Sequence, residues 1–201
     1  MAAPGDREPA PFRIRAARWP EDGARVARLD TSCATDRVLR LELAPASAEL
    51  FEERLPGPRR KDYGPLDADE LREMAAVLIA EVEGALAGAA ALRWEAWNRR
   101  AVIEHLFVAP EHRGRGCGGR LLEAVEHAAR ELGARCLWVE TQAINAPAVA
   151  FYRKHGFTWC GFDTSLYDPE GPAAGEIALF FTRPLVPDGR TGRPGRRRDR
   201  S

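Results

Sequence analysis

The seven residues from Arg113 to Gly119, Arg-Gly-Arg-Gly-Cys-Gly-Gly, are the segment of this chain best able to do chemistry. Glycines let successive backbone N–H groups converge without Cβ clashes, and Arg113 and Arg115 add full positive charge. Just downstream the apolar residues Leu121, Leu122, Val125, Ala128, Ala129 and Leu132 recur at helical spacing, so the loop opens onto a helix N-terminus. Such a site holds an anion, phosphate above all. Gly114-x-Gly116-x-x-Gly119 also fits the spacing of a dinucleotide fingerprint, with Glu140 where a ribose-binding acid would stand. In that fold, however, the first glycine follows its strand almost at once, whereas the five residues Ala109 to Arg113 intervene here. A kinase-type loop would lead into a strand, and there is no Gly-Lys-Ser/Thr of a nucleotide triphosphatase. Neither a disulfide framework nor a metal site is expected, because Cys33, Cys117, Cys136 and Cys160 are scattered and His105, His112, His127 and His155 lack ligand spacing.

The elements that must position this loop are legible in the hydrophobic pattern. The 201 residues, 45% hydrophobic and 30% charged, suit one domain. Phe12–Ala16 alternates as a strand, and Pro20 followed by two acids starts a helix toward Leu29. Arg37–Leu43 has period two, Glu49–Leu55 can pair back on it, and Pro56–Gly64 reads as a loop. Asp67 caps a short helix through Met74. Ala76–Val82 and Ala85–Trp94 form a hairpin about Glu83-Gly84, and Ala101–Val108 is a further strand. After the glycine-rich loop and its helix, ended by Gly133, come a strand over Arg135–Glu140 and a helix from Asn145 or Ala146 to Gly156. Phe157–Tyr167 and Glu176–Arg183 are the last strands. The order predicts an α/β (α+β) protein with helices around one mixed sheet.

The ends read differently. Residues 1–11 are rich in Ala and Pro, and residues 187–201 carry six Arg against two Asp in a Gly/Pro-rich stretch. Both are expected to be disordered, leaving a single folded domain over residues 12–186. The formal net charge of +0 leaves that domain mildly acidic once the basic tail is set aside. No apolar run reaches the roughly 18 residues of a membrane span, and no signal pattern opens the chain, so a cytoplasmic protein without membrane contacts is expected.

Two segments carry a resemblance to a known family. Arg113-x-x-Gly116-x-Gly118, after Phe107-Val108 and the turn Ala109-Pro110-Glu111, resembles the pyrophosphate loop of the GNAT superfamily of N-acetyltransferases. Asn145-x-x-Ala148-x-x-Phe151-Tyr152-x-x-x-Gly156-Phe157 resembles its second signature. Further similarity, to the streptothricin acetyltransferases, lies in Glu140-Thr141-Gln142, Gly161-x-Asp163-Thr164-x-Leu166-Tyr167 and Glu176-Ile177-Ala178. The resemblance implies the GNAT fold, a mixed, mostly antiparallel central sheet flanked by helices. It also implies acetyl-CoA as cosubstrate, no metal, and acetylation of the β-lysine amine of an antibiotic, a resistance function. Phe107, Val108, Arg113, Gly114, Arg115, Gly116, Cys117, Gly118, Gly119 and Asn145 would then bind the cofactor. Cys117 departs from the aliphatic residue usual at its position; it either tunes cofactor binding or fills space.

Acetyl transfer to an amine needs a neutral amine, a polarised carbonyl and a proton for the departing thiolate. A lysine-like amine costs about 4 to 5 kcal/mol to deprotonate at neutral pH, so a base is sought. Simple alternation puts Glu104 beside Val102, Leu106 and Val108, where apolar neighbours would raise its pKa and make it that base. The alternative is that Glu104 pairs with Arg93 on the next strand or faces solvent past a bulge. By resemblance Tyr152 is the general acid at the cofactor sulfur; its other reading is an ordinary core aromatic. Asn145 would bond the pantetheine arm, or simply cap its helix. Trp94, Trp97, Asp163, Tyr167 and Glu176 are the candidates for holding a small cationic substrate.

Other classes stay open at this level. The acceptor could be a polyamine, another antibiotic or a protein N-terminus. The chain could be a non-catalytic acyl-CoA-binding module whose basic tail touches nucleic acid, although such a tail is usually only solvated. A dinucleotide-dependent oxidoreductase is the third class. The oligomeric state is left open, with a homodimer as one option.

Overall fold

The computed structural model describes residues 12–185; the two ends expected to be disordered, with the arginines of 187–201, lie outside the described residues. In chain order the elements are β1 (Arg13–Ala16), α1 (Gly23–Val26), β2 (Cys33–Ala44), β3 (Ser47–Lys61), α2 (Ala68–Arg72), β4 (Ala76–Val82), β5 (Ala85–Glu95) and β6 (Arg100–Val108). They continue with α3 (Cys117–Glu131), β7 (Cys136–Gln142), α4 (Ala146–Lys154), β8 (Thr158–Asp163) and β9 (Ala178–Pro184). Seven strands make one sheet in the order β1-β4-β5-β6-β7-β9-β8, and β2 with β3 forms a separate hairpin. Among the described strands only β6 and β7 run parallel, joined through α3 as a parallel pair requires. The sheet is therefore mixed and mostly antiparallel, as expected, and the doubly wound parallel sheet of a dinucleotide fold is absent from the described residues.

Alternation along the strands feeds two apolar layers. Ala80, Val82, Ala90, Leu92, Ile103, Leu137 and Val139 meet Leu121, Leu122, Val125 and Ala129 of α3 together with Val149 and Tyr152 of α4. The intervening residues Val77, Ile79, Ala89 and Ala91 meet Val26, Leu29, Leu66 and Leu71 on the opposite face. No helix among the described residues is long and apolar enough to cross a membrane.

Three expectations about boundaries are corrected. Residues 56–61 are not loop: β3 runs on to Lys61, with Arg59, Arg60 and Lys61 opposite Thr35, Ala34 and Cys33. Pro56 and Pro58 fall at the register break between Thr35 and Arg37, where a strand loses nothing by lacking an N–H. The first helix is four residues long rather than reaching Leu29, because its exit tightens to i→i+3 bonds, Arg28 N–H to Arg25 O and Leu29 N–H to Val26 O. And β8 stops at Asp163, whose carboxylate accepts from the Ser165 N–H at 2.7 Å, turning the chain before Tyr167.

The feature that prepares a site is the way β6 parts from its parallel neighbour. Pairing between β6 and β7 ends at Ile103 opposite Val139. Next to it β6 carries an extra residue, since Ile103 faces Leu92 of β5 while His105 faces Ala91, and the extra residue is Glu104. Beyond the bulge β6 pairs only with β5 and β7 only with β9, so a gap opens between them. Gly88 lets β5 and β6 stay close there: a Cβ on it would lie 2.6 Å from the Phe107 carbonyl oxygen and 3.1 Å from Leu121. Gly88→Ala should therefore destabilise the fold by about 1–3 kcal/mol, read as a lower urea midpoint at unchanged slope.

Candidate active site

The glycine-rich segment does what its composition promised. Gly114 and Gly116 have φ of +71° and +86°, backbone that only glycine adopts without strain, and they bring the chain round onto the first turn of α3. Gly118 and Gly119 serve a different end. A Cβ on Gly118 would lie 3.1 Å from the Phe151 ring, and one on Gly119 would lie 3.3 Å from His155 Nε2. Bare backbone at these positions keeps a cleft of about 460 Å³ open between α3 and α4. The free N–H groups of the α3 N-terminus lie along it, a fit for a phosphate-bearing arm.

Of the cofactor candidates, Phe107, Val108, Arg113, Gly114, Gly116, Gly118, Gly119 and Asn145 line this cleft, whereas Arg115 and Cys117 do not. Arg113 is occupied with backbone: its guanidinium donates to Val108 O at 2.8 Å and to Ser32 O at 2.6 Å, tying the loop to the root of the β2–β3 hairpin. Arg115 is exposed beside His112. Cys117 is buried with its Sγ toward Ala87 O, and burial pushes the thiol up to about 11. It fills space beneath β5 and does not face the anion site. Asn145 caps α4, its side-chain oxygen accepting from the Ala148 N–H at 3.2 Å, while its amide donates to the Tyr63 hydroxyl at 2.9 Å.

A second cavity of about 540 Å³ occupies the gap between β6 and β7. Its walls include Ile103 to Phe107 from β6, Val139 to Gln142 from β7, Glu70 from α2 with the Asp67 that caps it, and Tyr167. The two cavities share Tyr63, Leu106, Phe107, Asn145, Ala148 and Tyr152, so each opens on the other at the start of α4. Tyr152 is buried at this junction, between the rings of Phe151 and Phe157. Burial, aided by the charge of Glu140, pushes its hydroxyl well above the ordinary phenol value, so it stays protonated.

Glu104 lies at the cavity wall, but its surroundings are not those that alternation suggested. The bulge takes it out of phase with Leu106 and Val108, and it is exposed, its carboxylate accepting from Arg93 Nε at 3.0 Å. The carboxylate with the desolvated environment is Glu140, which the sequence marked only as a ribose-binding acid of the dinucleotide pattern and as part of a family-like segment. Burial raises its pKa, the Glu104 charge adds to the effect, and a hydrogen bond donated by the Tyr167 hydroxyl opposes it. Beside it the Gln142 Oε1 is buried without a partner, the condition of an acceptor that a ligand's donor would satisfy.

Among the five substrate candidates Tyr167 alone lines the cavity. Trp97 is 85% exposed in the β5–β6 turn, at the end of β6 remote from Val108. Trp94 pairs with Ala101 at that same end and packs on the core. Asp163 is spent on the turn to Ser165, and Glu176 lies in the following loop outside both cavities. Position on strand ends could not tell which end faces the site. Tyr63 and His105, both in the walls, carried no recognisable signal: Tyr63 fell in an apparent loop, and His105 had nothing to set it apart from any other strand histidine.

Known proteins resemble the chain along most of its length. The family model described as Acetyltransferase (GNAT) family matches residues 43–157. A streptothricin acetyltransferase of Streptomyces lavendulae is 37% identical over 182 residues, covering 86% of this chain and 95% of that protein. The crystal structure of nourseothricin acetyltransferase superimposes with a TM-score of 0.79 at 36% identity, over 87% of this chain and 99% of its own. A Bacillus anthracis structure in complex with acetyl coenzyme A, assigned as a streptothricin acetyltransferase, superimposes with a TM-score of 0.75 at 27% identity and the same coverage. With the glycine cradle, the parted parallel strands and the tyrosine between two clefts in place, this chain belongs to the GNAT family of acetyltransferases.

Proposed function

We propose that the protein transfers the acetyl group of acetyl-CoA to the β-lysine amine of a streptothricin-type antibiotic in the cytoplasm, and so inactivates it. The observation that carries the chemistry is the meeting of the two cavities at Tyr152, with the desolvated carboxylate of Glu140 lining one of them. The choice of acceptor is supported by the likeness to the Streptomyces lavendulae enzyme over 95% of that enzyme's length.

The acetyl donor lies along the glycine cradle with its thioester in the gap between β6 and β7, where the strand edges offer unpaired backbone groups to the arm and the carbonyl. Glu140 takes a proton from the acceptor's ammonium group. The freed amine attacks the thioester carbonyl carbon, a C–N bond forms, and the C–S bond breaks as the tetrahedral centre collapses. Tyr152 gives its proton to the departing sulfur and regains one as the new amide nitrogen loses its own. The products are the acetamide, free coenzyme A and one proton to solvent. Asp67, Glu70 and Glu104 give the acceptor side a negative wall that favours a cation.

The test is thiol release from acetyl-CoA with streptothricin, spermidine or lysine as acceptor at equal concentration. Release with streptothricin alone is the expected result. Release with spermidine or lysine instead would reassign the acceptor, and acetyl-CoA binding without any release would remove the antibiotic reading.

A further inference from the structure

We propose that Tyr167 is a positioning residue for this reaction: its hydroxyl, presented by the loop that follows β8, holds the Glu140 carboxylate toward the acceptor cavity. The proposal rests on Glu140 being the group that takes the amine's proton.

Glu140 stands where β7 has lost its parallel neighbour, so on the β6 side no strand confines its side chain. A glutamate with three free torsions in an open gap would spend little time in any one orientation. The Tyr167 O–H donates to Glu140 Oε1, which leaves Oε2 for the amine. The tyrosine is itself held, because its ring is half-buried in the cavity wall and the side-chain amide of Gln142 lies against its hydroxyl. Gln142 is two residues from Glu140 on β7 and so on the same face of the strand. The hydroxyl that ends on the carboxylate thus comes from a loop that has no other part in the site.

The same hydrogen bond governs protonation. The groups facing Glu140 are Tyr167 from the loop, Glu104 from β6, Tyr152 from α4 and Tyr63 from the segment after β3. His105, next along β6, is pushed down by its own burial, and the carboxylates that oppose this are Glu104 and Glu70. Burial and Glu104 push the Glu140 carboxyl upward, and the Tyr167 hydroxyl is the group that holds it down. Without that hydroxyl the carboxyl stays protonated to higher pH, and a protonated carboxyl cannot accept from the amine.

The experiment is the pH dependence of kcat/KM, from about pH 5 to pH 9, for the full chain and for Tyr167→Phe, Glu140→Gln and the double variant. The acceptor is whichever amine the panel above identifies. Tyr167→Phe should be about tenfold slower across the range, because the unheld carboxylate is misoriented at every pH, and its acid limb should be displaced to higher pH. The double variant should be no slower than Glu140→Gln alone, because a residue acting only through another has nothing left to act on. A Tyr167→Phe rate equal to the parent's, an unmoved acid limb, or additive losses in the double variant would overturn the positioning role. Additivity also separates a loss of folding from a loss of positioning. If Glu140→Gln alone keeps the parent's rate and acid limb, the base reading fails first and takes the positioning role with it.

Discussion

Tyr152→Phe should lower kcat by about 10²- to 10⁴-fold while the dissociation constant of acetyl-CoA stays within about twofold. The phenol ring is buried, and phenylalanine keeps its packing against Phe151 and Phe157, so fold and cleft shape survive the change. What is lost is a proton that burial keeps on the hydroxyl at neutral pH. The departing thiolate then leaves unassisted, an interaction missing from the transition state and not from the ground state, so kcat should fall without a compensating rise in binding. Turnover by thiol release and acetyl-CoA binding by calorimetry check the two halves separately. Unchanged turnover would return Tyr152 to the rank of a core aromatic.

Asp22→Ala should be the most damaging change far from the chemistry, costing about 3–5 kcal/mol of stability. Asp22 is 1% exposed and accepts from Arg15 at 2.6 Å, Arg25 at 2.8 Å and the Arg18 N–H at 2.8 Å. Both arginines also donate to Glu81 on β4, at 2.8 Å each, so four charges tie α1 to the paired strands β1 and β4. Removing one carboxylate leaves a largely buried guanidinium short of its partner and a backbone N–H with none. Urea unfolding at neutral pH should show a lower midpoint at unchanged slope.

The same cluster sets an acid limit. Hydrogen bonds from Arg15 hold both carboxyls low, Glu81 at about 2 and Asp22 below the usual carboxylate range. Groups depressed in the folded state contribute stability that is complete above their unfolded values, about 4, and is lost as pH falls through the folded ones. The parent should therefore lose stability below about pH 4, and Asp22→Ala, already without its share, should lose less over that interval.

How much of this was legible before any coordinates depended on whether local pattern or distant contact decided the matter. Glycines at 114, 116, 118 and 119 ahead of a helical period state an anion site by themselves, because the requirements of converging N–H groups are local. The strand, helix and turn order from Ala76 to Gly156 was readable for the same reason: period, caps and glycine stops act within a few residues. Tyr152 and Asn145 could be named from a helix signature, since both sit on one short element.

Other features required the tertiary structure. Residues 56–61 carry two prolines and three basic residues and have the composition of a loop, yet pairing with Cys33 to Thr35 makes them strand, a contact more than twenty residues distant. Trp94 lies near the end of β5 and Trp97 in the turn that follows, but that end of the sheet faces away from the site, and only the sheet's direction says so. Glu104 and Glu140 decide the point most plainly. Both are acids on strands bordering the gap, and alternation favoured Glu104 until a bulge put it against Arg93 and solvent. Glu140 became the desolvated carboxylate because the parallel pairing ends just before it and Tyr167 folds back across a turn to meet it. The cradle, the helix signature and the chemistry they imply are all set by neighbours in the chain. Which carboxylate is desolvated beside the gap was left to strand register and burial, because both depend on residues that only folding brings together.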